Sequence, residues 1–363
     1  MPMRVLFVSR AYPPVTGGIE NQNYALHAWL SRDNAVTLIR NPYGKKALPA
    51  FLPYATLKAL IALRGHDVLL LGDGVLAITG FIAKFFYPKK PVISVVHGLD
   101  ITYANPIYRA LWVRRFLPAH DALIAVSRQT RDKALEHGIP AKKVTVIHNG
   151  VDPALFEGTY SRQDLAGLLK EPLAGKSVVL TTGRLVKRKG AEWFIRSVLP
   201  LLPESIIYVL AGAGPEEGRI RQAITELGYE RRVSLLGRVS DRERNVLLHT
   251  ADIFVQPNVR VPGDVEGFGL AVMEAAVCAR AIVAADIEGL KDAVRHDVNG
   301  VLVEAENAHA FSSAILRLLG DEGARRALGA RAREYTARTY HWSAVSRLYQ
   351  DALQARLTHT GPR

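Results

Sequence analysis

Cysteine is all but missing from this chain: Cys278 is the only one in 363 residues. That excludes an intramolecular disulfide framework and any cysteine-rich metal site, and it suits a reducing compartment. No secretory leader is expected, because the first apolar run, Val5 to Val8, is short and gives way to Arg10 and two prolines. Long hydrophobic runs are scarce as well. The longest, Val68 to Phe86, is broken by Gly72-Asp73-Gly74 and by Lys84. It reads as a buried strand, Val68–Leu71, then a turn and a helix, so no membrane-spanning segment is predicted. There is no short internal repeat and no low-complexity stretch. No Gly-x-Gly-x-x-Gly follows the first strand, which counts against a dinucleotide redox fold.

Carboxylates are scarce only in the first half. Residues 1–150 hold 19 Lys/Arg against 8 Asp/Glu, a net +11, whereas residues 151–363 hold 28 against 26, a net +2. Three stretches combine the basic excess with apolar and aromatic side chains: Lys45 to Tyr54, Phe85 to Lys90, and Trp112 to Leu117. Such a surface suits an anionic membrane leaflet. Nucleic acid is the competing partner, but no nucleic-acid-binding motif accompanies the charge, and none is expected to bind. Ordinary helix faces with solvated charges would show the same composition.

What is present is a rhythm of short apolar runs alternating with helical segments. Strands are predicted at Arg4–Ser9, Ala35–Ile39, Asp67–Leu71, Val92–Val96, Ala122–Val126 and Val144–Ile147, with a helix from about Asn21 to Ser31. A second series follows at Ser177–Thr182, Ile206–Leu210, Val233–Leu236, Ile253–Gln256, Ala281–Ala284 and Val301–Val303. The pattern is that of α/β domains with parallel sheets covered on both faces. The rhythm breaks near Asn149–Pro153, so the chain divides into residues 1–160, residues 170–340 and a tail helix over 341–357. Trp342, Val345, Leu348 and Tyr349 give that tail helix an apolar face, expected to pack back on the N-terminal domain. Two Rossmann-like domains facing one another imply a cleft at the carboxyl ends of their strands.

The residues suited to chemistry fall at those strand ends. Gly17-Gly18 follows the first strand and precedes a helix, where backbone amides and the helix dipole suit an anion; loops also use glycine for turns alone. His97 ends the fourth strand and can donate to a sugar hydroxyl or phosphate, or serve structure only. Asp100 could act on an acceptor hydroxyl or cap a helix. Gly183-Arg184-Leu-Val-Lys187-Arg188-Lys189-Gly190 suits an anion, with Arg able to bind phosphate bidentately. Gly212-Ala-Gly214-Pro215 and Gly237-Arg238-Val239-Ser240-Asp241 are further strand-end loops. Last comes Glu266-Gly-Phe-Gly-Leu-Ala-Val-Met-Glu274, two carboxylates eight positions apart. Glu266 precedes a helix and Glu274 lies about two turns along it, an arrangement able to hold two polyols beside a diphosphate. The same segment also describes a plain helix entry with solvated glutamates.

Taken in order along nearly the whole chain, these motifs resemble the retaining glycosyltransferases of family 4, which have the two-domain GT-B fold. The resemblance is carried by Gly17-Gly18-Ile-Glu20, His97-Gly98, Asn149-Gly150-Val151-Asp152, Gly183-Arg184-Leu185 through Lys189-Gly190, Gly212-x-Gly214-Pro215, and Glu266-Gly267-Phe268-Gly269 ending at Glu274. It implies an N-terminal acceptor domain and a C-terminal domain binding a nucleotide-sugar. It also implies that Arg184 and Lys189 neutralise the donor diphosphate, with Gly17, Gly18, Gly214 and the Phe268–Leu270 backbone helping to hold it. His97 and Glu266 would take the donor sugar, Glu274 the ribose diol, and Val239 and Asp241 the base, with Glu20 and Asp100 near the acceptor. His97, Arg184, Lys189 and Glu266 would be the catalytic set. No metal or other cofactor is implied, and no Asp-x-Asp cluster with an obvious metal role is present.

The donor implied is GDP-mannose or a UDP-sugar, and the acceptor a lipid-linked or cell-envelope glycan, as in polysaccharide or lipopolysaccharide synthesis. The expected location is cytoplasmic, peripheral on the inner face of the plasma membrane. A nucleotide-sugar epimerase or hydrolase of the same architecture is the alternative enzyme, and a non-catalytic nucleotide-sugar-binding subunit the alternative binder. The chain departs from the family pattern in two places. The segment Val259–Val265 is longer than a minimal turn, and Ala279-Arg280 stands where a glycine usually follows the helix.

Overall fold

The computed structural model describes residues 2–15 and 17–358. Two parallel six-stranded sheets organise them. The first contains β1 (Arg4–Ser9), β2 (Ala35–Arg40), β3 (Val68–Leu71), β4 (Val92–Val96), β5 (Ala122–Ala125) and β6 (Val144–Val146). Its spatial order is β2-β1-β3-β4-β5-β6. The second contains β7 (Ser177–Thr182), β8 (Ile206–Ala211), β9 (Val233–Gly237), β10 (Ile253–Gln256), β11 (Ala281–Ala285) and β12 (Val301–Val303), in the order β12-β11-β10-β7-β8-β9. Every strand lies within a residue or so of its expected place. These are two Rossmann-like α/β domains, and the fold is GT-B.

The chain falls into two compact units. Unit 1 takes in the residues up to Gly150, together with Gly263–Phe268 and the segment from Trp342 onward; unit 2 is Val151–Pro262 and Gly269–His341. The sequence reading placed residues 263–268 in the second domain. They pack with unit 1 because Val265, Gly267 and Phe268 find their neighbours at the ends of β4 and β6, as described below.

In unit 1, β3 and β4 are buried along their whole length, because helices cover both faces of the sheet. On one face helix α1 (Gly18–Leu30) buries Leu26 and Leu30 against Phe7, Leu70 and Ile93. The terminal helix Trp342–Thr358 joins the same cluster through Trp342, Val345, Tyr349 and Leu353. Burial of four such side chains stabilises the attachment by roughly 1.5–3 kcal/mol each, an upper range for area removed from water. On the other face helix α2 (Leu48–Leu63) sets Phe51, Ala55, Ala59 and Leu63 against Leu6, Val8 and Leu69. Helix α3 (Ala77–Phe86) follows β3 after a turn capped by Asp73.

One helix was not predicted from the sequence. Lys45–Leu63 is long and apolar enough to cross a bilayer by length and composition, although it packs on the sheet here. Pro49 and Pro53 are compatible with the helix: Pro49 sits in the first turn, where a missing N–H costs nothing, and Pro53 forfeits only one early bond.

Candidate active site

In unit 1 the ends of β1, β3 and β4 are tied into one rim by side chains. Arg10 reaches Asp73 at 2.9 Å across the place where the strand order reverses, β1 beside β3. Burial alone would lower the Arg10 pKa, but Asp73, Asp100 and Glu20 oppose it and the net shift is upward. Asp100 is buried, and both its oxygens are engaged: Oδ1 accepts from the His97 amide and Oδ2 from the Gly74 amide, each at 2.8 Å. Desolvation pushes its carboxyl above the ordinary range, with His97 pulling the other way. Asp100 therefore holds the rim together rather than reaching out to an acceptor hydroxyl.

His97 faces Gly72 O at 3.0 Å through Nε2. A carbonyl only accepts, so Nε2 donates and Nδ1 is the ring nitrogen left to face a ligand. The Nε2 donor of His97 is thus engaged by Gly72, and Nδ1 is the remaining ring nitrogen. Glu20 folds back over Gly17, where an added Cβ would collide with its carboxylate. Helix α1 starts at Gly18, three residues earlier than predicted, so Gly17 is its N-cap and no side chain caps it.

The Glu266 loop lies against this rim. Gly98 has φ +90, and a Cβ on it would stand 3.3 Å from Val265 Cγ2 and 3.9 Å from the Gly267 Cα. A Cβ on Gly267 would lie 3.1 Å from His97 O. Glycine at both positions lets the two loops approach that closely. The Phe268 ring stacks on His148 with centroids 5.0 Å apart and planes at 13°. His148 in turn donates from Nδ1 to Val126 O at 3.0 Å. Unit 1 therefore brings His97, Glu266, Gly267 and Phe268 together, and Glu266 is buried.

In unit 2 the strand ends are joined by backbone. Gly183 N donates to Ala211 O at 2.9 Å and Gly212 N to Gly237 O at 2.7 Å, linking β7, β8 and β9. A Cβ on Gly212 would overlap Gly183 O, one on Gly214 would overlap Leu185 O, and one on Gly190 would overlap Pro257 O. Gly190 has φ +68 and follows the 3-10 turn Lys187–Lys189, which buries Lys189 and leaves Arg184 exposed. Gly190 and Pro257 meet where β7 adjoins β10, the reversal point of this sheet. Ligands of doubly wound sheets sit outside strand carboxyl ends at that place.

The helix Leu270–Val277 begins here, with Gly269 at φ +88 as its N-cap and no side-chain cap, so its first-turn amides suit an anion. Its later start puts Glu274 about one turn in, not two. Glu274 is half-buried; desolvation raises its carboxyl pKa, opposed by Arg244 and Lys189 and reinforced by Asp241. The charges of Arg244, Lys189 and Asp241 are thus felt at Glu274, on a helix whose start has no side-chain cap. Asp241, expected near a base, is exposed and pairs with Arg244 at 3.0 Å; Val239 is half-buried two residues before it.

Arg244 was not foreseen, although its spacing from Asp241 on one helix face was a usable signal. Its guanidinium lies 4.8 Å from the Phe156 ring centroid. His148, Arg10 and Asp73 were also missed. In the basic stretch Trp112–Leu117, Trp112 donates to Val75 O and Val113 and Leu117 are core, while Arg114 and Arg115 are exposed. Among the described residues no group of three or more His, Cys, Asp or Glu side chains is placed to hold a metal ion.

Two family descriptions match, one per half of the chain: Glycosyltransferase Family 4 over residues 4–155 and Glycosyl transferases group 1 over residues 170–335. The chain is 25% identical to a GDP-mannose-dependent alpha-(1-6)-phosphatidylinositol monomannoside mannosyltransferase of Mycobacterium tuberculosis, over 97% of this chain and 98% of that protein. It is 32% identical to a D-inositol 3-phosphate glycosyltransferase of Corynebacterium glutamicum, over 64% of this chain and 57% of that one. Among solved structures, Anabaena HepE in complex with UDP-glucose superposes with a TM-score of 0.79 at 23% identity, covering 97% of this chain and 100% of HepE.

Proposed function

The chain belongs to the group 1, family 4 glycosyltransferases, and on that premise we propose that it moves a sugar from GDP-mannose or a UDP-sugar to a lipid-linked or cell-envelope glycan. The sugar keeps its anomeric configuration. The observation that carries this reading is the uncapped start of the helix Leu270–Val277 at Gly269, in the same unit as the glycine-bounded loop at the reversal point of the second sheet that buries Lys189. A cation and an uncapped helix start suit a diphosphate, and the carboxylate of Glu274 suits the neighbouring ribose diol.

Lys189, Arg184 and the amides after Phe268 hold the diphosphate, with Gly214 allowing its close approach and Gly17 and Gly18 giving further backbone support. Val239 and Asp241 take the base. Glu266 and Nδ1 of His97 accept from hydroxyls of the sugar. The acceptor hydroxyl oxygen attacks the anomeric carbon on the face that the diphosphate leaves. The bond from that carbon to the phosphate oxygen breaks, and the acceptor's proton passes to the departing oxygen. Lys189 and Arg184 stabilise the charge that develops there, work that needs no metal ion.

A related mannosyltransferase that is GDP-mannose-dependent, and a structural neighbour holding UDP-glucose, support the two donor classes. That relative is named for a phosphatidylinositol monomannoside, which supports a lipid-linked acceptor here; we place the reaction at the cytoplasmic face of the membrane. The test incubates the protein with GDP-mannose or UDP-glucose, with and without lipid extract, and follows the product by NMR. Retention, dependence on acceptor and indifference to a chelator are expected. An inverted linkage overturns the mechanism; donor epimerised without acceptor overturns the transferase in favour of an epimerase.

A further inference from the structure

We propose that the outward faces of α2 and α3 form a docking surface that lies in the plane of an anionic bilayer without crossing it. This rests on the membrane-side reading above and names the part of the molecule that makes the contact. Large apolar side chains exposed singly are common on protein surfaces, but a contiguous group is not. On α2, Tyr54, Leu57 and Ile61 recur at helical spacing on the face opposite the buried Phe51, Ala55, Ala59 and Leu63. Leu57 is 63% exposed and Ile61 67%. At the end of α3, Phe85 is 79% and Phe86 61% exposed, their rings edge to face at 5.3 Å. The two groups belong to one surface because Tyr87 binds the end of α2 twice: it donates to Leu60 O at 3.0 Å and accepts from Arg64 Nε at 3.1 Å.

Charge selects the occupant. Residues 34–66 contain five Lys/Arg and no carboxylate, and residues 74–99 contain three and none. Lys45, Lys46, Lys58, Arg64 and Lys89 are exposed around the apolar ridge. A second copy of the chain would bring two such cationic surfaces together, which is repulsive. Anionic headgroups over an acyl boundary match both the ridge and its rim, with lysine stems reaching outward to phosphates. The segment Lys45–Leu63 is long enough to span, but its inward stripe is committed to β1 and β3. Spanning would strip the sheet of that cover, so the helix lies flat.

The full chain is sedimented with vesicles of phosphatidylcholine alone or mixed with phosphatidylglycerol, and binding of the donor nucleotide is followed in parallel by thermal shift. Binding to the mixed vesicles, release by high salt and release by alkaline carbonate are expected. The pairs Leu57→Gln/Ile61→Gln and Phe85→Ser/Phe86→Ser each lower partition by about tenfold or more. The triple Lys45→Gln/Lys46→Gln/Lys58→Gln lowers it at least about tenfold and flattens the salt dependence. All three variants keep the wild-type melting temperature and nucleotide shift. Equal binding to neutral and anionic vesicles, unchanged binding of the variants, or retention of the chain in carbonate-washed membranes each overturns the proposal. So does a dimer that is lost in Leu57→Gln/Ile61→Gln while no vesicle is bound. Loss of the nucleotide shift in the wild type overturns the donor reading instead, and leaves the vesicle result to be judged by itself.

Discussion

At the reversal point of the first sheet the groups that meet are side chains: Arg10 on Asp73, and Asp100 on the amides of His97 and Gly74. At the reversal point of the second they are backbone atoms, with Gly190 against Pro257 O and Gly212 against Gly183 O. The two units share a doubly wound plan, yet one spends buried charge on fixing its loops and the other spends glycine. The backbone-built rim carries the cations Lys189, buried, and Arg184, exposed. In the rim built from charge, Asp73 Oδ1 is bound to Arg10 and both oxygens of Asp100 are bound to backbone amides. Under the proposed function, unit 2 receives the negative charge of the donor and unit 1 positions His97 and Glu266.

The sharpest way to break that division is to remove a charge from unit 2. Lys189→Ala should cut kcat by about 10²–10³-fold, the usual loss for one preorganised donor to a developing oxyanion. The melting temperature should stay near wild type. Turnover at the wild-type rate would mean that unit 2 does not supply the phosphate charge.

Acid should separate the units next. His120 in unit 1 is fully buried, with Nε2 donating to Ala77 O at 3.1 Å. Desolvation holds its pKa down to about 4, from an ordinary 6.5. The unfolded chain therefore binds a proton that the folded chain refuses, and stability falls as pH drops from about 6.5 to about 4. At 1.36 kcal/mol per unit the loss is on the order of 3 kcal/mol. His249 in unit 2 is lowered by the same cause but remains partly exposed. Urea midpoints measured against pH should show unit 1 failing first, and His120→Gln should flatten that slope. Equal slopes in variant and wild type would remove His120 from the account.

A smaller test addresses the rim of unit 1. Asp100→Ala leaves the His97 and Gly74 amides without their acceptor and should cost about 2 kcal/mol, within the range for unsatisfied buried groups. Affinity of unit 2 for the nucleoside diphosphate without its sugar should not follow. If that calorimetric affinity falls as far as the stability does, the two rims are not separate devices.

Much of the scaffold was legible because buried parallel strands are short apolar runs, and twelve of them stood out. The order of the strands was not, since β3 and β10 carry no mark of the side on which they pair. Glu266 and Glu274 could be singled out by spacing, but the link from Phe268 to His148 joins residues 120 positions apart with no periodicity to betray it. Asp100 had two readings in sequence, acceptor binder or cap. Only its two backbone donors show that its oxygens are occupied. Helix α2 was not singled out in the sequence; its prolines are harmless in a first turn and nearly so in the second.

The smallest effect concerns a departure from the family pattern that the sequence showed and the structure explains. After the helix Leu270–Val277 and its C-cap Cys278, the chain turns through Ala279 at φ 56. That left-handed conformation is what the usual glycine provides without strain. Alanine there places its Cβ too close to the following carbonyl oxygen, at a cost of roughly 1–2 kcal/mol, part of which glycine returns as extra freedom in the unfolded chain. Ala279→Gly should therefore stabilise unit 2 by about 1 kcal/mol. The turn also bears on the neighbouring helix, because Gly329 lies so close to Ala279 O that a Cβ on it would overlap. Gly329→Ala should lose more than Ala279→Gly gains, since a backbone oxygen cannot move aside as a side chain can. Both are read from urea midpoints followed on unit 2. A destabilised Ala279→Gly would show that the methyl group makes a contact worth more than its strain, and that the second unit is less purely a backbone construction than its glycines suggest.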